Sequence, residues 1–167
     1  VPKGVLNMVL GSGGTVGNAL LDHDAVHAVS FTGSNEVGAD IYARGARRMI
    51  RVQAEMGGKN PVVVLADADL DLAADAAVNA GFGSAGERCM AISALLAVDT
   101  IADDLVEKIK DRVGKLVTGD GTRGCDMGPL VTAQHRDKVT SYLDAGTEAG
   151  ATLVIDGREG DVDSDGE

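Results

Sequence analysis

Short apolar runs and helix-like segments follow one another along the first third of the chain. Residues 5–10 form an apolar run, residues 15–22 carry apolar side chains at helical spacing, and residues 26–31 return to alternating apolar positions. This pattern predicts a strand, a helix and a second strand. Ser34 is a favourable N-cap, and the segment from Ser34 to about Arg47 is predicted to be a further helix.

Two more apolar runs follow, at residues 50–54 and 62–65, with Gly57 and Gly58 between them. They predict two short buried strands separated by a turn. Strands that alternate with helices favour a mainly parallel sheet with helices on its faces, and therefore an α/β fold.

The second half of the chain continues the same alternation. Residues 67–81 begin with acidic side chains, which the helix dipole favours in a first turn, and continue with an Ala-rich amphipathic body. They predict a helix that ends near Gly81. The later pattern predicts a strand at residues 91–98, helices at 101–116 and 133–149, and a strand at 151–155.

The end of the chain, residues 156–167, reads DGREGDVDSDGE and is acidic and poor in apolar side chains. This composition predicts a disordered end or a surface loop. Because the α/β pattern stops midway, we expect the chain to be a fragment of a longer protein.

Acidic residues outnumber basic ones, since 26 Asp and Glu against 15 Lys and Arg give a formal net charge of -11. That balance repels phosphate backbones and leaves no basic patch for nucleic acid or anionic lipid. No apolar run approaches the roughly 20 residues needed to span a bilayer. The chain begins without the apolar core of a secretory signal, and its two cysteines lack metal-ligand spacing. We therefore expect a cytoplasmic protein with no metal site and no nucleic-acid or membrane partner.

Cys89 follows a glycine-rich turn in the segment GSAGERCMA and precedes an apolar strand pattern. Taken by itself, a free cysteine is most often a small buried hydrophobic residue. Here Gly81, Gly83 and Gly86 let the backbone approach a bound molecule, and the adjacent Arg88 favours a thiolate. Both features weaken the packing interpretation and make Cys89 a candidate nucleophile.

Glu55 ends a very apolar strand pattern in the segment QAEMGGKNP. Burial of a carboxylate is costly, so Glu55 is either a strand-end residue that faces water or a functional group. A carboxylate in a partly dry pocket can accept a proton from water or from a thiol near neutral pH. Cys89 and Glu55 together suit a reaction in which the cysteine attacks and the carboxylate activates the water that releases the product.

The segment GSGGTVG has glycines at positions 11, 13 and 17. Their spacing, G-x-G-x-x-x-G, is one residue longer than the usual dinucleotide-binding fingerprint. The spacing alone leaves two interpretations open, an ordinary turn and a dinucleotide loop.

The motifs FTGSNEVG, EMGGKNP and GSAGERCM stand in the order and approximate spacing of three aldehyde dehydrogenase signatures, and DMGPLVT follows them. On these motifs the chain resembles the NAD(P)-dependent aldehyde dehydrogenases over essentially its whole length. The resemblance implies the end of a Rossmann-like cofactor domain followed by the start of the α/β catalytic domain. The implied boundaries are residues 1–55 for the C-terminal part of the NAD(P)-binding domain, 56–155 for the N-terminal part of the catalytic domain and 156–167 for the acidic end.

In that family a thiohemiacetal forms at the cysteine, a hydride passes to the nicotinamide, and the resulting thioester is hydrolysed. The resemblance assigns the nucleophile to Cys89 and the general base to Glu55. It implies NAD or NADP as the cofactor, a small aldehyde as the substrate and a homo-oligomer as the assembly of the parent protein. The implied cofactor-binding residues are Gly13, Gly17, Phe31, Gly33, Ser34, Val37 and Gly57.

Within this set, the resemblance implies that Gly13 and Gly17 line the adenosine side. Gly33, Ser34 and Val37 lie where a strand meets a helix whose N-terminus can face the pyrophosphate. Gly57 is expected to let the backbone pass close to the nicotinamide.

Some of the family's machinery is expected outside this chain. The oxyanion-stabilising asparagine and a cofactor-binding lysine would precede residue 1, and a second glutamate would follow residue 167. Loss of one oxyanion donor alone costs about 10²–10³ in rate. We therefore predict that the 167-residue chain is inactive by itself and that its parent is active.

Two segments, AVNAGFGSAGERCMAISA and TGDGTRGCDMGPLVT, look most like methylmalonate-semialdehyde dehydrogenases, which pass the acyl group to coenzyme A. Those enzymes typically lack a glutamate at the position of Glu55. Its presence resembles hydrolytic semialdehyde dehydrogenases such as the 2-oxoglutarate-semialdehyde type. Because a base that activates water competes with coenzyme A for the thioester, hydrolysis is favoured over the acylating alternative. A third interpretation, an inactive dehydrogenase relic that serves as a binding or structural module, stays open.

Overall fold

The computed structural model describes residues 1–159 and divides the chain into two compact units. The first unit comprises Val1–Gly58, and the second begins at Lys59. Each unit combines helices with a parallel pair of strands. These features confirm the α/β fold class predicted from the alternating pattern.

The first unit is a β-α-β arrangement preceded by a short helix. A helical turn at Gly13–Gly17 leads into α1 (Asn18–Asp22), which is followed by β1 (Ala28–Gly33), α2 (Asn35–Arg47) and β2 (Arg51–Met56). β1 and β2 pair in parallel, with Thr32 opposite Glu55. Parallel pairing brings the carboxyl ends of both strands to one edge, and α2 begins at that edge because it follows β1 directly.

Helix α2 has a defined start and a close contact with the sheet. The Ser34 hydroxyl accepts a hydrogen bond from the backbone N–H of Val37, as an N-cap residue does. Gly45 is buried against β2, where a Cβ at its position would overlap the side chain of Val52. The predicted cap at Ser34 is therefore confirmed, and a glycine lets α2 approach the strand closely.

The second unit repeats the β-α-β arrangement and adds two helices. Its elements are β3 (Asn60–Val64), α3 (Leu70–Phe82), β4 (Ile92–Ala97), α4 (Asp99–Val113) and α5 (Ala133–Glu148). β3 and β4 pair in parallel, and the core forms around Val64, Ala74 and Leu105. Small and branched aliphatic side chains thus fill the contact between the sheet, α3 and α4.

The acidic start of α3 acts as a helix cap. The carboxylate of Asp69 accepts hydrogen bonds from the backbone N–H groups of Asp71 and Leu72, at 3.0 and 3.1 Å. This bonding satisfies two of the N–H groups that a helix leaves without an internal partner. The predicted helix at residues 67–81 is confirmed, with its first turn at Leu70.

Two predicted strands are wrong. Residues 5–10 and 151–155 form no strand in the described structure, and the apolar side chains of residues 5–10 are 64% to 82% exposed. An apolar run becomes a strand only where a neighbouring strand supplies hydrogen-bond partners, and neither run has one among residues 1–159. Of the predicted disordered end or loop, Gly157–Glu159 form a short helical turn and residues 160–167 lie outside the described residues.

None of the helices within residues 1–159 combines the length and apolar character needed to cross a membrane.

Candidate functional site

Cys89 lies in a tight turn that leads into β4. Its thiol is free and exposed. The backbone N–H of Ala91 donates a hydrogen bond to the carbonyl oxygen of Arg88 at 2.9 Å, which closes a four-residue turn around Cys89. Ala91 is itself buried, so the backbone that carries the thiol is anchored while the sulfur faces outward.

The segment before Cys89 has an unusual backbone conformation. Ser84, Ala85 and Gly86 have φ values of 56°, 53° and 74° in succession. Left-handed conformations are rare for residues with a Cβ, and they concentrate at functional sites. A Cβ at Gly86 would lie 3.2 Å from the carbonyl oxygen of Gly81. Glycine is therefore favoured at position 86 both by its φ and by the limited space.

Arg88 folds back over the glycine-rich turn. A Cβ at Gly83 would lie 3.0 Å from a guanidinium nitrogen of Arg88, so the missing side chain makes room for the cation. The expected contribution of Arg88 to the reactivity of Cys89 stays a prediction.

Asn60, at the start of β3, is bonded to the turn that holds Cys89. Its side-chain amide donates hydrogen bonds to the carbonyl oxygens of Cys89 at 2.7 Å and of Ala91 at 3.0 Å. Asn60 was not among the site residues predicted from the sequence. A signal was present in Asn60-Pro61 at the start of a strand, because proline removes a backbone donor there.

Glu55 belongs to the first unit, whereas Cys89 belongs to the second. It lies near the end of β2, and its side chain is exposed. Its carboxylate accepts a hydrogen bond from the side-chain amide of Gln53 at 3.1 Å. The carboxylate therefore stands at the carboxyl edge of the β1–β2 pair, and its role as a base stays a prediction.

A groove of about 610 Å³ lies in the first unit between the Gly13–Gly17 turn, β1 and α2. Four of the seven predicted cofactor-binding residues line it: Gly13, Gly17, Phe31 and Val37. Its walls combine apolar side chains with the polar groups of Glu36, Asp40 and Arg44. A groove of this size with mixed walls suits one end of an elongated ligand.

The other three predicted cofactor-binding residues lie around the N-terminus of α2. Gly33 precedes Ser34 and contacts the ring of Phe31 so closely that a Cβ there would overlap the ring. A Cβ at Gly57 would lie 3.9 Å from the side-chain oxygen of Asn35, the first residue of α2. The partial positive charge at the start of α2 makes this edge a suitable place for an anionic group.

A charged cluster fixes α1 to α2 beside the groove. The guanidinium of Arg44 donates hydrogen bonds to Asn18, to Asp22 at 2.7 Å and to Asp40 at 3.1 Å. These partners, first Asp22 and then Asp40, raise the pKa of Arg44 above its ordinary value. These contacts hold one wall of the groove in place.

No group of three or more His, Cys, Asp or Glu side chains within residues 1–159 is arranged to hold a metal ion.

The chain matches the aldehyde dehydrogenase family over residues 1–167. It is 50% identical over 160 residues to a malonate-semialdehyde dehydrogenase of Pseudomonas aeruginosa, which covers 95% of this chain and 32% of the relative. It is 46% identical over 160 residues to malonate-semialdehyde dehydrogenase 2 of Bacillus thuringiensis strain Al Hakam, covering 95% of this chain and 33% of that relative. The chain therefore belongs to the aldehyde dehydrogenase family.

Solved structures agree with this assignment. A putative methylmalonate-semialdehyde dehydrogenase from Sinorhizobium meliloti 1021, crystallised with NAD, superposes with a TM-score of 0.83 at 42% sequence identity. The match covers 88% of this chain and 30% of that one. The resemblance inferred from the motifs is thus confirmed, and the chain spans about a third of the length of the curated relatives it matches.

Proposed function

We propose that the protein to which this chain belongs oxidises a small semialdehyde to a carboxylate, with NAD or NADP as the hydride acceptor. The names of the relatives support a semialdehyde substrate, malonate or methylmalonate semialdehyde, that carries a distal carboxylate. The NAD in the Sinorhizobium meliloti crystal supports the cofactor. The observation that carries the proposal is the exposed Cys89 thiol on an anchored turn.

The domain assignment belongs to the same proposal. Residues 1–55 form the C-terminal part of the cofactor-binding domain, and residues 56–155 form the N-terminal part of the catalytic domain. The division of the chain after Gly58, close to the proposed boundary, supports this assignment. Six of the seven proposed cofactor-binding residues lie within residues 1–55, and the seventh, Gly57, lies just beyond that boundary and still within the first unit.

The first unit suits a dinucleotide in three respects. The groove beside Gly13 and Gly17 accommodates the adenosine part. The start of α2, capped by Ser34, carries a partial positive charge that supports pyrophosphate binding there. Gly57, beside that helix start, adds no side-chain bulk where the nicotinamide would pass.

The chemistry assigned to Cys89 is nucleophilic attack. Its thiolate adds to the aldehyde carbon, and the carbonyl oxygen becomes an alkoxide. Among the described residues of the second unit, the backbone N–H of Cys89 forms no hydrogen bond, so it is free to donate one to that oxygen. When bound, the nicotinamide ring accepts the hydride that leaves the same carbon, which leaves an acyl group bound to the sulfur as a thioester.

Glu55 completes the cycle as general base. Its carboxylate takes a proton from a water molecule as the water oxygen attacks the thioester carbon. The carbon–sulfur bond then breaks, the thiolate of Cys89 is restored and a carboxylic acid leaves. The exposed position of Glu55, at the carboxyl edge of its strand pair, supports a role that needs access to water.

Variants of the full-length protein test this proposal. Production of NADH or NADPH is followed with malonate and methylmalonate semialdehyde for the wild type, Cys89→Ala, Glu55→Gln and the control Cys125→Ala. We expect Cys89→Ala to fall to background and Cys125→Ala to retain wild-type turnover. Glu55→Gln should give one equivalent of reduced cofactor and then stall, because the thioester persists.

Other results of these experiments would contradict the proposal. Turnover that survives in Cys89→Ala would show that the cysteine is not the nucleophile. A wild-type protein without activity on any aldehyde, whose Cys89 also resists iodoacetamide at neutral pH, would favour the relic interpretation. The 167-residue chain expressed alone is expected to show no turnover, and the parent's assembly into a homo-oligomer stays a prediction.

A further inference from the structure

Asn60 connects the first residue of β3 to the turn that carries Cys89. The side chain is half-buried, and its single amide nitrogen donates to two carbonyl oxygens, those of Cys89 and Ala91. The two acceptors flank Met90 in the closed turn between Arg88 and Ala91. One side chain thus fixes the orientation of two peptide groups in the segment that presents the thiol.

The irregular start of β3 explains why a side chain, and not a backbone N–H group, donates hydrogen bonds to these carbonyl oxygens. Asn60 pairs with Ile92 of β4, and the register then shifts so that Pro61 lies opposite Ala94. Proline has no N–H group, so the irregular start of the strand lacks a backbone donor. The amide of Asn60 supplies hydrogen bonds to the two carbonyl groups that precede β4.

The hydrogen bonds from Asn60 and Ala91 restrain the backbone around Cys89 and leave its sulfur accessible. The carbonyl group of Cys89 accepts a hydrogen bond from Asn60, the N–H group of Ala91 closes the turn that contains Cys89, and the thiol stays exposed. Nucleophilic attack depends on an accessible sulfur atom and on a backbone that holds the cysteine in place, since a misplacement of about 1 Å can cost about 10²-fold in rate.

We propose that Asn60 is a positioning residue for Cys89, which orients the nucleophile by binding its carbonyl group. This inference rests on the proposed function, because it assumes that Cys89 attacks the substrate. The hydrogen bonds of Asn60 go to backbone carbonyl groups, and its proposed action on the sulfur is indirect. Its removal should therefore lower the rate of the chemical step and leave substrate binding nearly unchanged.

The test uses the full-length protein with malonate semialdehyde and NAD. Asn60→Leu removes both donors at similar side-chain volume, Asn60→Ser keeps one shorter donor, and Asn79→Leu changes an exposed asparagine of α3 as the matched control. We expect Asn60→Leu to lower kcat by about 10- to 100-fold, with KM for both substrates changed less than about threefold. Asn60→Ser should fall between Asn60→Leu and the wild type, and Asn79→Leu should match the wild type.

A purely structural role predicts a different pattern. In that case Asn60→Leu loses activity only in proportion to the folded protein lost, as thermal unfolding measures it. A kcat per folded molecule equal to the wild-type value would overturn the inference. If Asn60→Leu does not fold, Asn60→Ser decides, and an unchanged kcat in that variant overturns the inference. An inactive Cys89→Ala beside a fully active Asn60→Leu refutes only the role of Asn60, whereas an active Cys89→Ala refutes the proposed function itself.

Discussion

At the scale of single residues, glycines set how closely the helices approach the strands. Gly45 sits where a Cβ would overlap Val52, and Gly38 sits where a Cβ would lie 2.5 Å from the sulfur of Met56. Both glycines are buried in α2. A mid-helix glycine costs about 1 kcal/mol relative to alanine, so this close packing of α2 on β2 offsets a loss of intrinsic helix stability.

The close packing of α2 on β2 predicts opposite effects for glycine-to-alanine changes at a packed and at an unpacked helix position. Gly45→Ala gains helix propensity but overpacks the contact with Val52, and overpacking costs about 1–3 kcal/mol. The free energy of unfolding should therefore fall by on the order of 1 kcal/mol. Gly146→Ala in α5 meets no atom within 4 Å and should stabilise the helix by about 1 kcal/mol. Denaturant unfolding of the two variants measures both, and a stabilised Gly45→Ala would contradict the close contact.

The residues around Cys89 show what a sequence can and cannot reveal at this scale. The glycine-rich turn was predicted from residue type, and Gly86 adopts the left-handed conformation that glycine favours. Ser84 and Ala85 adopt it as well, although residue type argues against it. Asn60 was missed because its role depends on a carbonyl group 29 residues away in sequence, a contact that only the folded chain creates.

At the scale of elements, ion pairs join α3 to α4. Lys108 contacts Asp71 at 2.8 Å, and Arg112 contacts Asp71 at 3.1 Å and also bonds Asp75. The hydrogen bonds from Lys108 and Arg112 hold the pKa of the Asp71 carboxyl below its ordinary value of 3.8. The side chains of Asp71 and Asp75 are 65% exposed, so salt screens the contribution of these ion pairs.

The lowered pKa of Asp71 predicts a pH-dependent effect. A carboxyl group whose pKa is lower in the folded state stabilises the fold above its unfolded pKa, and this contribution is lost as the pH falls through the folded value. Asp71→Asn should therefore lower the thermal unfolding midpoint slightly at pH 7, and its difference from the wild type should shrink below about pH 4. Asp104→Asn, on an exposed position of α4, removes the same charge as the control. A difference that persists unchanged at low pH would contradict the pairing.

The sequence predicted best those helices and strands that are determined by neighbouring residues. The helices α2 and α3 have caps, Ser34 and Asp69, that lie next to them in the sequence. The parallel pairs follow from the alternation of strands with helices. The predictions for residues 5–10 and 151–155 were wrong because a strand also needs a partner, and apolar composition does not say whether one is present.

At the scale of the whole molecule, the chain unites two compact units with separate tasks in the proposed reaction. The first carries the groove and the capped start of α2, and the second carries Cys89 on a turn bonded to Asn60. Family membership follows from the match over residues 1–167. The fate of the proposed thioester does not follow from membership, because water and coenzyme A are both competent acceptors.

Glu55 makes hydrolysis the expected fate of that thioester. Its exposed carboxylate can activate water, and water is always present, whereas coenzyme A requires a site of its own. The full-length wild type should release the free acid at the same rate with or without coenzyme A. Product analysis by mass spectrometry checks this, and Glu55→Gln is the comparison because it should retain the acyl group on Cys89. Turnover that requires coenzyme A and yields an acyl-coenzyme A in place of the free acid would instead establish the acylating reaction and remove the role assigned to Glu55.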